Sequence, residues 1–296
     1  MLDIIHEDSE LLVINKPAGL VCHPTKDGEL SSLIGRLRLY LGTGHKTGQG
    51  ALTASDCSAQ DHSTPLQTLE PRAYLVNRLD RETSGVVIAA KSQASAGELG
   101  KIWECRAVMK EYCALVHGHL AKDQGIIDAP LGKDEQSCVA IKDCVRSDGM
   151  PARTEYWIED RFHASPSEFH KQGAFTQSWE VINEDRLEAK PFSFLRLRPH
   201  TGRKHQIRIH LAHIGYPIVG DKLYGGDEDL YLALVQERLN DEQRTRLILP
   251  FQALHACSTR FHWRGVNRIF EAEFPGWTRL GNRAQCAEPD HSACDG

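Results

Sequence analysis

The chain has 296 residues, of which 41% are hydrophobic and 25% are charged, and its formal net charge is −5. This composition suits a globular protein with a substantial core, and no apolar run is long enough to span a membrane. The net charge gives no sign of a nucleic-acid partner, so such a partner has to be argued from local charge.

The N-terminus and the cysteines bear on location and on metal binding. Acidic residues such as Asp3, Glu7 and Asp8 occupy the place where a signal peptide needs its apolar region, which predicts a cytoplasmic protein. The nine cysteines are scattered without a C-x-x-C pair. We therefore expect reduced thiols rather than a zinc site or a disulfide framework.

The first predicted elements are a strand and a helix. Residues 11–14 (LLVI) indicate a buried strand, which Pro17 ends because proline cannot donate to a strand ladder. Ser31 or Ser32 can cap a helix that carries apolar residues on one face and ends at Gly42.

Two segments lack any apolar periodicity. Residues 43–72 are dominated by Gly, Thr, Ser, Gln and His, which predicts a long loop. Residues 281–296 mix Asn, Gln, Pro, Asp and Ser, which predicts a disordered tail. Because no internal repeat or low-complexity linker is found, we expect residues 1–280 to form a single domain.

The middle of the chain predicts a strand, a helix and a strand. Residues 86–90 (VVIAA) read as a buried strand, Ser92 as the cap of a helix that carries Leu99, and residues 112–116 (YCALV) as another strand.

A basic cluster follows. In residues 194–198 leucines alternate with arginines, as in a strand with one basic face, and Thr201 stands where the N-cap of a helix with Ile207 and Leu211 belongs. Residues 196–222 hold six Lys or Arg, four His and one acid, Asp221. A strand, a turn and a helix N-terminus suit anion binding, although charge alone is equally compatible with a solvated face.

The remaining pattern fixes the fold class. Residues 226–250 are rich in charge and predict a surface helix. Strands and helices do not alternate regularly enough for a doubly wound sheet, so the sequence predicts an α+β protein with a mixed sheet.

Asp80 is the first candidate for chemistry. It stands in residues 78–85 (RLDRETSG) between Arg78 and Arg81, directly before a buried strand. Flanking guanidinium groups favour an ionised carboxylate, and loops on rigid strands commonly carry reactive groups. Taken alone, the segment is also compatible with an exposed structural turn.

Further segments turn this motif into a family resemblance. Residues 110–116 (KEYCALV) and 198–211 (RPHTGRKHQIRIHL) follow residues 78–85 in an order that resembles the RluA-type pseudouridine synthases. Matches to the same family also occur near the start of the chain and after the basic cluster. They are residues 6–19, which begin with HED and end with NKPAG, 220–225 (GDKLYG) and 254–256 (LHA).

The resemblance implies a fold and a set of roles. The fold would be a mixed, largely antiparallel central sheet, split by a basic catalytic cleft, with helices on the outer faces. Asp80 matches the catalytic aspartate and Arg208 an arginine paired with it. Tyr112 matches a tyrosine that packs on the target uracil, and Arg78 an arginine that enters the space left by the flipped nucleotide. Several family members add an N-terminal RNA-binding domain, whereas we expect this chain to begin directly at the catalytic region.

The residue types suit the isomerisation of uridine in RNA. A carboxylate can add to C1′ of the sugar or remove the C2′ proton, and the sequence leaves both routes open. Tyr112 offers a flat face for uracil and a possible base for the C5 proton. We expect Arg203, Lys204 and His205 to contact RNA, the partner to be structured rRNA or tRNA, and the protein to be a monomer that needs no metal or other cofactor and no membrane.

Two positions depart from the family pattern, and three other readings compete. Asn77 replaces a usual histidine and Lys204 a usual Thr or Ser, which we expect to affect RNA fit more than activity.

A metal site is disfavoured because, of the four histidines, only His210 and His213 could share a helix face. A glycosidase would need a second acid, for which Glu82 is poorly placed. The remaining alternative is a non-catalytic RNA-binding protein on the same fold.

Overall fold

A computed structural model describes residues 2–25, 28–42, 72–171 and 188–280. The strands of this part of the chain are β1 (Ile4–Glu7), β2 (Leu11–Lys16), β3 (Tyr74–Leu75), β4 (Ser84–Ala90), β5 (Val108–His117), β6 (Gln124–Asp128), β7 (Leu131–Lys133), β8 (Asp143–Val145), β9 (Arg153–Ala164), β10 (Lys190–Pro199), β11 (Leu254–Trp263) and β12 (Val266–Glu271). The helices are α1 (Leu33–Gly42), α2 (Gln93–Glu104), α3 (Pro166–Lys171), α4 (Gln206–His213), α5 (Asp229–Val235) and α6 (Asp241–Leu247).

The strands form one large sheet and one small hairpin. The large sheet follows the order β1-β2-β4-β11-β5-β10-β9-β6, with β3 paired to β4 and β12 to β11, while β7 pairs with β8. β11 runs parallel to β4, and every other described pair is antiparallel. The predicted α+β class with a mixed, largely antiparallel sheet is therefore confirmed.

The strands predicted at residues 11–14 and 86–90 are the buried centre of β2 and β4. Side chains alternate between the two faces of a strand. Leu12 and Ile14 pack in the cluster that contains helix α1, whereas Leu11 and Val13 pack in the cluster that contains helix α2. Helices thus cover both faces here, which explains continuous apolar runs instead of alternation.

Two predicted helix caps are confirmed. The Ser32 hydroxyl accepts a hydrogen bond from the Gly35 N–H at 3.2 Å, directly before α1. The Ser92 hydroxyl accepts one from the Ser95 N–H at 3.1 Å at the start of α2. Both caps satisfy backbone donors that the first turn of a helix leaves open.

The prediction that Thr201 caps the next helix is wrong. Helix α4 begins at Gln206, and the residue before it, His205, has a left-handed φ of 55°. Thr201 instead donates its hydroxyl to the Gln206 side-chain oxygen at 2.6 Å and accepts from the Arg153 N–H at 3.1 Å. These bonds hold residues 201–205 in a turn, which brings His205 and Arg208 toward the face of Asp80.

Residues 226–250, where a surface helix is predicted, are helical but interrupted. The segment forms two short helices, α5 and α6, and each buries apolar side chains, Leu230 in α5 and Leu247 in α6. The loop predicted at residues 43–72, apart from Arg72, and the tail predicted at residues 281–296 lie outside the described residues. In the described ranges no helix is both long and apolar enough to cross a membrane.

Strand β11 brings the start of β4 next to the middle of β5. Ala256 of β11 lies beside Gly85 of β4 on one side and beside Tyr112 of β5 on the other. Gly85 has a φ of +112°, and a Cβ atom there would lie 2.2 Å from the Ala256 carbonyl oxygen. A glycine is therefore required where the loop that carries Asp80 enters the sheet.

Candidate active site

A cavity of about 420 Å³ opens between the loop before β4, strand β5 and the start of helix α4. Six of the seven predicted site residues line it, and Lys204 does not. The six are Arg78, Asp80, Tyr112, Arg203, His205 and Arg208.

Asp80 is held by one hydrogen bond from Arg208. The Arg208 Nη1 donates to the Asp80 Oδ2 at 3.0 Å, and the Asp80 side chain stays 29% exposed. The structure gives the other oxygen, Oδ1, no hydrogen-bond partner in the described part of the chain. Asp80 is thus oriented by one oxygen and accessible through the cavity.

Arg208 is itself fixed by a second carboxylate. Its Nε and Nη2 donate to both oxygens of Asp221, at 2.7 and 2.9 Å, which is the bidentate geometry that suits a guanidinium. Burial alone would lower the pKa of Arg208, but the charges of Asp221 and Asp80 outweigh it and raise that pKa above its usual range. Burial likewise opposes ionisation of Asp221, yet Arg208 holds the pKa of its carboxyl below the usual value. Arg208 and Asp221 are therefore both charged at neutral pH.

Asp221 is a site residue that the sequence reasoning missed. Its side chain is fully buried, and Oδ1 also accepts hydrogen bonds from the Leu223 and Tyr224 N–H groups. These bonds hold the turn at residues 220–225 in one conformation, and Asp221 in turn fixes the position of Arg208. The available signal was that Asp221 is the one acid in the basic cluster and belongs to a segment that matches the family.

The next residue of this turn anchors the far side of the Asp80 loop. The buried Lys222 Nζ donates to the Glu82 Oε2 at 2.9 Å and to the Pro250 carbonyl at 2.6 Å. Glu82 is therefore an anchor of the loop. One turn thus holds the loop through Asp221 and Arg208 on one side and through Lys222 on the other.

The N-terminal NKPAG segment holds the same loop from below. Lys16 is fully buried, and its Nζ donates to the carbonyl oxygens of Pro17, Leu20 and Arg81, the last at 3.1 Å. Burial lowers the pKa of Lys16 to about 8. The Gly19 N–H adds a hydrogen bond to the Arg81 carbonyl at 2.9 Å. The backbone beside Asp80 is therefore tied to strand β2.

Tyr112 lies partly buried in the wall of the cavity. Burial, followed by the negative charge of Asp80, raises the pKa of its hydroxyl above the usual range. The phenol is therefore protonated at neutral pH, and a role as base would require it to lose that proton first. Its ring remains a flat surface next to Asp80.

His205 is a neutral member of the site. Burial, and then the nearby positive charge of Arg208, lower its pKa to about 4. Its Nδ1 shares a hydrogen bond with the Tyr224 hydroxyl at 2.9 Å, and its Nε2 lies 3.9 Å from the Asp80 Oδ2. Any contact of His205 with RNA would therefore be made by an uncharged ring.

Lys204 and Asn77, the two departures from the family pattern, both have internal partners. The Lys204 Nζ pairs with the Asp143 Oδ2 of strand β8 at 2.9 Å. The Asn77 side-chain amide donates to the Val86 carbonyl at 3.1 Å, and its oxygen accepts from the Ile88 N–H at 2.8 Å. Both side chains thus fasten local structure, Lys204 to the small hairpin and Asn77 to strand β4.

Two more of the four histidines considered for a metal site, His200 and His210, have protein partners. Both ring nitrogens of the buried His210 are used, one with the Thr154 hydroxyl at 2.9 Å and one with the Ala129 carbonyl at 3.0 Å. His200 contacts the Glu155 carboxylate at 3.2 Å. These contacts leave His210 no ring nitrogen for a metal.

The chain is similar in sequence to RNA pseudouridine synthases. A family model described as RNA pseudouridylate synthase matches residues 10–213. Ribosomal large subunit pseudouridine synthase D of Yersinia pestis is 31% identical over 93% of this chain and 67% of its own length. The protein of that name from Nitrosomonas europaea is 33% identical over 86% of this chain and 56% of its own length. The chain thus spans little more than half to two thirds of these relatives.

Solved structures agree at the level of the fold. Human RNA pseudouridylate synthase domain containing 1 superposes with a TM-score of 0.61 and 21% identity, covering 93% of this chain and 84% of that one. The human domain-containing protein 4 gives 0.59 and 22%, covering 92% and 88%.

Proposed function

We propose that this chain, which belongs to the RNA pseudouridylate synthase family, converts uridine in RNA to pseudouridine with Asp80 as its essential carboxylate. The observation that carries the proposal is the buried series Asp221, Arg208, Asp80, which ends in an accessible carboxylate oxygen inside a cavity. A protein that only binds RNA has no evident need for a fixed carboxylate where an anionic ligand must approach.

The reaction breaks the bond from uracil N1 to C1′, turns the base, and joins C5 to C1′. Asp80 Oδ1 is the atom that can act at the sugar, by adding to C1′ or by removing the C2′ proton. The proton on C5 must leave and N1 must gain one, so the composition of the RNA does not change. Because nothing is oxidised, reduced or added, the chemistry requires no cofactor.

Arg208 orients the Asp80 carboxylate. A guanidinium held by Asp221 through two hydrogen bonds has little rotational freedom, so its third donor fixes Asp80 Oδ2 in advance of the substrate. This preorganisation lowers the entropic cost of bringing the carboxylate to the sugar.

The cavity accommodates a flipped nucleotide. Its volume of about 420 Å³ falls in the range of small-molecule sites. A uridine in a helix must leave the stack at a cost of a few kcal/mol, which Arg78 can offset in part by occupying the vacated space. Tyr112 provides the face on which uracil packs.

The substrate class follows from the relatives. Their names refer to the large ribosomal subunit, so we propose structured RNA as substrate, with rRNA to be tested first and tRNA second. We further propose that residues 1–280 form the catalytic domain and that it acts as a monomer.

The test follows the hydrogen at C5. RNA labelled with tritium at uridine C5 should release the label to water when incubated with the protein, and a chelator should not prevent this. The base should remain in the chain, because a hydrolase would liberate uracil and leave an abasic site. Absence of release from rRNA and tRNA, with the protein shown to be folded, would instead favour the RNA-binding alternative.

A further inference from the structure

A second cavity of about 590 Å³ lies beside the catalytic cavity. The two share Lys110 and Pro199 in their walls, so a chain that leaves the first cavity at this point enters the second. The second cavity, here called the flanking groove, is lined by residues 106–110, 198–200, 260–262 and 267–269. It therefore lies where β5 begins, β10 ends and the β11–β12 hairpin projects.

The flanking groove has a one-sided charge. Its described lining includes five Lys or Arg residues and two histidines but no Asp or Glu. They are Arg106, Lys110, Arg198, Arg260, Arg268, His200 and His262. In a protein with a net charge of −5, this concentration of cations marks a local site for a polyanion.

Several of these cations have unused donors. In the part of the chain that the structure describes, the side chains of Arg106, Lys110 and Arg260 make no hydrogen bond. The nearest paired carboxylate to Arg260 is Glu271, at 3.7 Å, which is beyond hydrogen-bond distance. Lys204, by contrast, is paired at 2.9 Å. Donors that can turn to a ligand without breaking a bond are thus found in the groove.

The floor of the groove suits a nucleic acid backbone. Arg260 lies between Met109 of β5 and Ile269 of β12 in the sheet register, and these apolar side chains are 42% and 52% exposed. Exposed apolar side chains beside cations can contact sugars while the cations contact phosphates.

We propose that the flanking groove binds the phosphodiester backbone of RNA next to the target uridine. This inference rests on the proposed function, because it takes the occupant of the catalytic cavity to be a nucleotide of the same RNA. The catalytic cavity holds little more than one nucleotide, so the adjoining phosphates need cations outside it. Lys110, which lines both cavities, is the junction.

The test is the salt dependence of RNA binding by the Arg106→Gln/Arg260→Gln double variant. Each lost phosphate contact should reduce the slope of log K against log salt by about 0.7 to 0.9, and the double variant by about twice that. At 0.1 M salt this corresponds to binding weaker by roughly 25- to 60-fold. The matched control is Arg264→Gln in the same hairpin, whose side chain pairs with Glu98 at 2.8 Å away from the groove and should leave the slope unchanged.

The outcomes separate this inference from the proposed function. If the wild-type protein releases no tritium, the proposed function fails, whatever the slopes are. If it releases tritium but the double variant keeps the wild-type slope, the groove does not bind phosphates and the inference is overturned. Should the double variant melt at a lower temperature than the control, Arg106→Gln alone decides, because this exposed residue should still lower the slope by about one contact.

Discussion

The cations around Asp80 differ from Arg106 and Arg260 of the flanking groove in how they are held. Lys16, Arg208 and Lys222 are buried, and each donates hydrogen bonds to several acceptors. In the groove, Arg106 and Arg260 are given no hydrogen bond in the described structure. A buried cation that loses its partner is strongly destabilising, whereas an exposed one can exchange water for phosphate. The first set therefore fixes geometry, and the second remains available to a ligand.

The largest effect should come from Asp80→Asn, which removes the proposed reacting carboxylate but keeps its shape. Tritium release should fall by roughly 10²- to 10⁴-fold or below detection, because the amide can neither add to C1′ nor take a proton. RNA affinity should change little, since no cation is lost. Turnover close to that of the wild type would refute the assignment of Asp80.

Arg208→Lys should have the next largest effect. Lysine keeps the charge but cannot donate to both oxygens of Asp221 and to Asp80 in one plane. A carboxylate misplaced by about 1 Å can lose roughly 10²-fold in rate, so kcat should fall far more than RNA affinity. Single-turnover rates and Kd measured on the same RNA decide this, and an effect on Kd alone would make Arg208 a phosphate contact.

Asp221→Asn tests the residue that holds Arg208 in place, rather than Asp80 itself. The substitution removes the buried carboxylate that pairs with Arg208. This loss should lower the free energy of unfolding by about 3 to 5 kcal/mol. Because Asp221 would act through Arg208, kcat should fall while KM is little changed, and Asp221→Glu should restore part of the loss. Thermal melts alongside kinetics measure both, and a rise in KM with unchanged kcat would contradict a positioning role.

Lys204→Gln should have the smallest effect. Lys204 is paired with Asp143, so neutralising it should reduce the salt slope by less than half of the 0.7 to 0.9 of a full phosphate contact. The salt slope of Lys204→Gln is compared with that of Arg203→Gln. Arg203 is the adjacent residue and lines the cavity that contains Asp80. A full loss for Lys204→Gln would place its ammonium on RNA and require the pair with Asp143 to open.

Sequence patterns predicted the elements whose signals are local. Strand β4 and the capped helix α2 follow from a continuous apolar run and from one serine in front of a periodic segment. The prediction for Thr201 was wrong because a side-chain hydroxyl before an apolar period normally caps a helix. The actual partner of Thr201 is the side chain of Gln206, which belongs to the first turn of helix α4. Strands β9 and β12 were not predicted, because their polar and apolar residues do not form a run.

The site also contains residues that local motifs predict and residues that they do not. Asp80, Tyr112 and Arg208 could be assigned from motifs, and the structure brings all three to one cavity. The role of Asp221 could not, because it depends on a bidentate contact across a turn, and a sequence does not record which carboxylate a buried arginine chooses. The flanking groove is harder still, since its cations come from four separate segments.

The place of β11 in the sheet constrains how the protein is made. This strand comes late in the chain, yet it lies between β4 and β5, which are synthesised much earlier. While the protein emerges from the ribosome, the edges of β4 and β5 that β11 will occupy are unsatisfied, and exposed strand edges favour aggregation. Closing such a long-range pairing is slow. The start of β4, which follows the Asp80 loop, therefore gains its β11 neighbour only after that strand has left the exit tunnel.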